Sequence, residues 1–183
     1  MSFENQKKTF LSKLDKSKKG GIDRDILPLI NKINKSKNYY TTSSCSGRVV
    51  LLSQKLNQKK GAKWLFISHK KVSFKEIKKA LEKLPKTDIW LRFEPFILHV
   101  APKDLESAQE LVNKARDIGF KRTGIQSTRK IVIEIASTEI ISTIIAEKGN
   151  LLVDNNYLKI LIREANKKLE KNREKIKRFY DSI

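Results

Sequence analysis

The residues of this chain best suited to chemistry lie in the stretch YYTTSSCSGRVVLLS, residues 39–53. Small hydroxyl side chains, the one cysteine, a glycine and an arginine follow one another here, with no lysine among them. A segment such as SSCSGR offers backbone N–H groups and hydroxyls with little bulk, which suits close approach to a phosphate, a carboxylate or a ribose. Arg48 adds a planar fork for a carboxylate or phosphate. The same letters also describe a glycine-containing turn whose hydroxyls satisfy their own backbone. A second group, DKSKKGGIDRD, gathers Asp15, Ser17, Gly20, Gly21 and Asp23 ahead of an expected helix start. Glycine-rich approaches to helix N-termini bind anions, although an ordinary capped loop reads the same way. A third, RFEPFILHV, sets Glu94 beside Pro95 and His99 five residues on. An acid and an imidazole so placed can hold a ligand amine or take a proton. A bulged strand with one solvated acid is the plainer alternative.

Other chemistries are poorly served. Cys45 could be a nucleophile activated by His69 or His99, but two histidines make no triad. One cysteine and two histidines cannot build a Cys/His zinc cluster, so no metal is expected. The seven glycines form neither a GxGxxG nor a Walker pattern, which argues against a Rossmann-type nucleotide enzyme.

The elements that must position these residues are legible from periodicity. Residues 3 to 14 have helical spacing, and a helix is expected through RDILPLINKINKS with Pro28 in its first turns. Residues 39 to 54 read as strand, tight loop, strand, and residues 62 to 69 as a further strand. An amphipathic helix is expected over 73 to 84. Residues 88 to 101 are too long for one flat strand, and Pro95 predicts a bend. A helix ending at Gly119 follows. Two antiparallel strands come next, then a hairpin turning at EKGN. From Asp154 a long helix carries Leu158, Ile162, Ala165, Leu169, Ile176 and Phe179 on one stripe, and its lysine-rich end is expected to reach solvent. Intermixed helices and local strand pairs predict α+β, with a mixed, largely antiparallel sheet and flanking helices.

With 183 residues, the chain is expected to form a single domain, 1–183, in which 154–183 is a basic C-terminal helix. Lys plus Arg number 40 against 20 Asp plus Glu, a formal net charge of +20. Such an excess favours a polyanionic partner, nucleic acid before an anionic membrane. A lone cysteine and no apolar leader or spanning run predict a reducing, cytoplasmic setting and no membrane. No obligate protein partner is evident.

Taken in order, DKSKKGGID, IN, YYTTSSCSGR, ISH, EPFILHV and GFKRTGI resemble the tRNA wybutosine-synthesizing protein 3 family, from about residue 3 to about residue 170. Thr123 stands where the last motif has serine, and the hydroxyl is kept. The resemblance implies a fold other than the Rossmann methyltransferase sheet. It implies an S-adenosylmethionine-dependent methyltransferase acting on ring nitrogen 4 of a tricyclic guanosine derivative beside the anticodon of phenylalanine tRNA. Cofactor contacts are expected from Asp15, Ser17, Ser43, Ser44, Cys45, Ser46, Gly47 and Arg48, and catalytic contacts from Asp23, Glu94 and His99, all lining one cleft. The motifs leave open which segment meets cofactor and which meets base. His99 or Glu94 would take any proton, and direct transfer needs no covalent intermediate on Cys45. Tyr39, Tyr40 and Trp90 are candidates for an aromatic wall against the base, or for core packing. The competing readings are a non-catalytic basic RNA-binding protein and a hydrolase using Cys45.

Overall fold

The computed structural model describes residues 2–12, 22–54, 62–127 and 130–183. Asp15, Ser17, Gly20 and Gly21 therefore lie outside the described residues. In chain order the elements are α1 (Phe3–Leu11), a 3-10 turn (Arg24–Ile26), α2 (Leu27–Lys35), β1 (Tyr39–Cys45), β2 (Arg48–Gln54), β3 (Lys63–Ser68), α3 (Phe74–Ala80), β4 (Asp88–Glu94), β5 (Ile97–Pro102), α4 (Leu105–Ile118), β6 (Arg122–Ser127), β7 (Val132–Ala136), β8 (Ile141–Glu147), β9 (Asn150–Leu151) and α5 (Asn155–Ser182). Two compact units form from separated stretches. Met1–Ser46, Phe96–Thr138 and Arg173–Ile183 make the first, and Gly47–Pro95 with Glu139–Asn172 the second.

In the first unit the strand order is β1-β5-β7-β6, every pairing antiparallel. Alternation sends Leu98 and Val100 of β5 and Ile133 and Ile135 of β7 into the core. There they meet Leu29, Ile30 and Ile33 of α2 and Ala108, Leu111 and Ala115 of α4. The rings of Phe96, Phe120 and Phe179 form a chain with centroids 5.1 and 5.7 Å apart. Helix α4 starts where Asp104 accepts the Ser107 amide at 2.8 Å, a bond that holds the Asp104 carboxyl below the usual range. It stops at Gly119, whose φ of 107° only glycine adopts readily.

In the second unit the order is β3-β2-β4-β8-β9, again antiparallel throughout. Val49 and Leu51 of β2 and Ile89, Leu91 and Phe93 of β4 pack with Ile77 of α3 and with Leu158, Ile162, Ala165 and Leu169 of α5. A capping box between Ser73 and Glu76 opens α3. The side chain of Asn166 accepts from Val72 N at 2.9 Å and donates to Val72 O at 2.8 Å, satisfying both backbone groups just before that helix.

The α+β expectation holds, with two antiparallel sheets among the described residues where one was anticipated. Four local expectations change. The expected SSCSGR loop shrinks to Ser46 and Gly47, because Ser43, Ser44 and Cys45 belong to β1 and Arg48 to β2. These strands do not pair with each other; each joins a different sheet. The bend at Pro95 is likewise the step from β4 in one sheet to β5 in the other. The end of α5 is not a solvated tail, since Ile176 and Phe179 are buried in the first unit's core. Helix α3 stops at Ala80, short of the expected residue 84, and Pro85 disfavours helical backbone at Leu84. The EKGN hairpin turns as expected, with Lys148 at φ 48° and Gly149 at φ 88°. Among the described residues no helix is long and apolar enough to cross a membrane.

Candidate active site

Strand register assembles the most chemically capable group in the first unit. Ser43 lies opposite His99, His99 opposite Glu134, and Glu134 opposite Gly124, a row across all four strands. Their neighbours Leu98, Val100, Ile133 and Ile135 point into the core, so this row lies on the other face. The register shift between Thr41 and Ser43 is a bulge that re-aims β1 just before the row.

The contacts within the row are short. His99 Nδ1 lies 2.6 Å from Ser43 Oγ, and Nε2 lies 3.0 Å from Glu134 Oε2. An ionised carboxylate only accepts, so when the imidazole is neutral its one ring hydrogen lies on Nε2, facing Glu134. Nδ1 then accepts from the Ser43 hydroxyl. Ser43 is exposed, while His99 and Glu134 are half-buried behind it. A Cβ added at Gly124 would meet no atom within 4 Å, so the far end of the row borders open space.

The remaining predicted residues fall into two further groups. Asp23 is buried in the first unit, where its Oδ2 accepts the Ser46 amide at 2.8 Å. That bond anchors the end of β1, whose Ser44 and Cys45 are half-buried. In the second unit Arg48 and Glu94 are ladder partners, and Arg48 Nε donates to Glu94 Oε2 at 2.6 Å. The Arg48 guanidinium also stacks 4.7 Å from the Trp64 ring centroid. His69 Nδ1 lies 3.0 Å from the Gly47 carbonyl, which accepts from it.

The acid that serves His99 is thus Glu134, which was absent from the expected set, while Glu94 serves Arg48. Glu134 sits in IVIEIA, where alternation marks it only as outward-facing; its value appears when the register brings β5 alongside. Of the aromatic candidates, Tyr40 takes the core-packing reading and Tyr39 packs at the core's edge. Tyr40 is fully buried, with the Phe3 and Phe10 rings each 5.5 Å away. Tyr39 donates to Ser107 O at 2.9 Å, and burial with Glu110 nearby pushes its phenol up to about 12. Thr123 spends its hydroxyl on Phe120 O at 2.6 Å and so secures the turn after α4.

The family model described as Methyltransferase TYW3 matches residues 5–183. The chain belongs to the TYW3 methyltransferase family. It is therefore a methyltransferase, and its reaction needs a methyl donor. The resemblance carried by the six short motifs extends over essentially the whole chain. A Pyrococcus furiosus relative, named tRNA(Phe) 7-((3-amino-3-carboxypropyl)-4-demethylwyosine(37)-N(4))-methyltransferase 1, is 40% identical, covering 100% of this chain and 95% of the relative. The tRNA wybutosine-synthesizing protein 3 homolog of Xenopus laevis is 37% identical, covering 100% of this chain and 74% of its own. A solved structure from Pyrococcus horikoshii matches with a TM-score of 0.92 at 39% identity, covering 98% of this chain and 95% of that one. Among the described residues this chain has two antiparallel sheets, and its sequence carries no GxGxxG.

Proposed function

We propose that this chain transfers a methyl group from S-adenosylmethionine to ring nitrogen 4 of the wyosine-type base beside the anticodon of phenylalanine tRNA. It acts as one catalytic domain over residues 1–183, in the cytoplasm. The reaction follows the name of the Pyrococcus furiosus relative. The observation on this chain that supports it best is the row Ser43–His99–Glu134, a polarised hydroxyl backed by an imidazole and a carboxylate. A protein that merely holds phosphates needs lysines and arginines, not this array. A hydrolase using Cys45 is disfavoured because the chain belongs to a methyltransferase family.

The donor set suits the cofactor. Serine hydroxyls, the backbone at Gly47 and the fork of Arg48 match its carboxylate and ribose, so Ser43 to Arg48 would hold it, together with Asp15 and Ser17. When bound, it supplies an electrophilic methyl group on a sulfonium sulfur. The chain's own work is to orient the acceptor nitrogen and remove its proton. Placement alone, with reacting atoms about 3 Å apart and in line, accounts for much of such a rate. Ser43 passes its proton to His99 Nδ1 as it takes the proton of the acceptor, and Glu134 stabilises the imidazolium that results. Asp23 positions β1 through the Ser46 amide, and Glu94 fixes the orientation of Arg48.

A bound cofactor stabilises the folded chain by about 2.7 kcal/mol at a hundred times its dissociation constant. S-adenosylmethionine and its demethylated product are therefore expected to raise the melting temperature of the purified protein in a concentration-dependent way. A melting curve that neither compound moves at any concentration contradicts the cofactor assignment.

A further inference from the structure

We propose that the outward face of the β3-β2-β4-β8-β9 sheet is a stacking platform for unpaired RNA bases, built on Trp64 and Trp90 with Arg48 and Arg92. The proposal rests on the tRNA methyltransferase reading in that the RNA would be the single-stranded anticodon loop carrying the target base.

The face is defined by register. Val49 and Leu51 of β2 belong to the core shared with α3 and α5. Alternation turns Arg48, Val50 and Leu52 the other way. Val50 lies opposite Ile67 in β3 and Arg92 in β4, and Leu52 lies opposite Trp64 in β3 and Trp90 in β4. Val50 and Leu52 are buried at 0% and 7% exposure, so they form the floor beneath larger neighbours. Trp64 remains 46% exposed, an unusual state for so large an apolar ring.

Each tryptophan has an arginine against it. The Arg48 guanidinium lies 4.7 Å from the Trp64 centroid, and that of Arg92 lies 5.5 Å from the Trp90 centroid. Guanidinium planes stack on aromatic faces and also take phosphates, so the Arg92–Trp90 pair matches a nucleotide in both its base and its charge, while Arg48, whose fork the cofactor would use, braces the Trp64 ring. Glu94 fixes Arg48 from the side at 2.6 Å, which holds the fork in place. Among the described residues the buried Arg92 Nε has no hydrogen-bond partner. Antiparallel sheets with aromatic rings on one face stack RNA bases in just this manner. The formal charge of +20 selects a polyanion over a neutral protein surface as the occupant.

Intrinsic fluorescence tests this directly, because Trp64 and Trp90 are the only two tryptophans in the chain. Titration with an unmodified anticodon stem-loop RNA, without methyl donor, is expected to quench both wild-type and Trp64→Phe protein. A fully paired hairpin of equal charge is expected to quench far less. Trp64→Ala is expected to weaken stem-loop binding by about five- to a hundredfold, the range for losing one stacked base. Trp64→Phe should recover most of it, and circular dichroism should show both variants folded. Stem-loop binding seen by polarisation of labelled RNA, with no quenching and with Trp64→Ala unaffected, would place the RNA elsewhere and overturn the proposal. A fluorescence change that depends on protein concentration alone would assign the face to a second copy of the chain and overturn it as well. The two readings fail separately. Quenching with no methyl transfer refutes only the enzymatic reading. Methyl transfer with an unchanged KM for tRNA in Trp64→Ala refutes only the platform.

Discussion

Replacing His99 by alanine is expected to lower the turnover of methyl transfer by about a hundred- to ten-thousandfold, the usual contribution of a placed acid–base group. The fold should survive, because His99 is on the outward face of β5 and no core side chain is lost. Its neighbours Leu98 and Val100 carry the packing on the other face. Removing the imidazole leaves the Ser43 hydroxyl with no acceptor for its proton and Glu134 with no donor. Glu134→Gln acts through the ring. The glutamine can present an amide N–H to Nε2, which puts the ring hydrogen on Nδ1, the wrong nitrogen for accepting from Ser43. Its turnover should fall while the KM for cofactor changes little, and the ring-nitrogen NMR signals of His99 should report the exchanged tautomer. Single-turnover assays at saturating cofactor and tRNA separate this from a binding defect. Turnover within a few-fold of wild type in His99→Ala would remove the relay from the mechanism.

Binding of tRNA should weaken by about a thousandfold or more between 50 and 200 mM salt, as it does when 6–10 phosphates are neutralised. The motive is the excess of 40 cationic over 20 acidic side chains. Not all of that charge is available. Lys168 and Lys171 share Glu139, Lys114 pairs with Glu110, and Lys175 is buried. The exposed Lys114–Glu110 pair is weak and exchanges readily for a phosphate contact, whereas the Glu139 carboxylate is largely buried. The slope of log affinity against log salt gives the number of phosphates engaged. Binding of the methyl donor alone, with no phosphate chain to release counterions, should change far less. A slope near zero for tRNA would mean that the charge has no part in recognition.

Periodicity read the elements well because each has a face to bury. Leu98 and Val100, Ile133 and Ile135, and the stripe from Leu158 to Phe179 announce strands and a helix through alternation and spacing. Gly119 announces a helix stop through its left-handed backbone. Sheet membership was not legible. Ser46–Gly47 and Pro95–Phe96 look like a tight turn and a bend, and only long-range pairing makes each a step from one sheet into another. The same limit applies to the site. Ser43 and His99 were expected from their motifs, yet Glu134 becomes a partner through the β5–β7 register, 35 residues away in sequence. Glu94, nearer to His99 in sequence, turns instead to Arg48. Tyr40 carries the letter of a surface platform, but α1 places two phenylalanines against it.

The mass and methylation position of the target nucleoside after incubation with the chain test the methyl transfer most directly. The substrate is phenylalanine tRNA carrying the tricyclic base without its ring nitrogen 4 methyl, with S-adenosylmethionine bearing a labelled methyl group as donor. Wild-type protein is expected to add one labelled methyl at ring nitrogen 4 of the base, and His99→Ala almost none. An unchanged base despite demonstrated binding of both cofactor and tRNA, or a methyl placed on another atom, would contradict the proposed reaction.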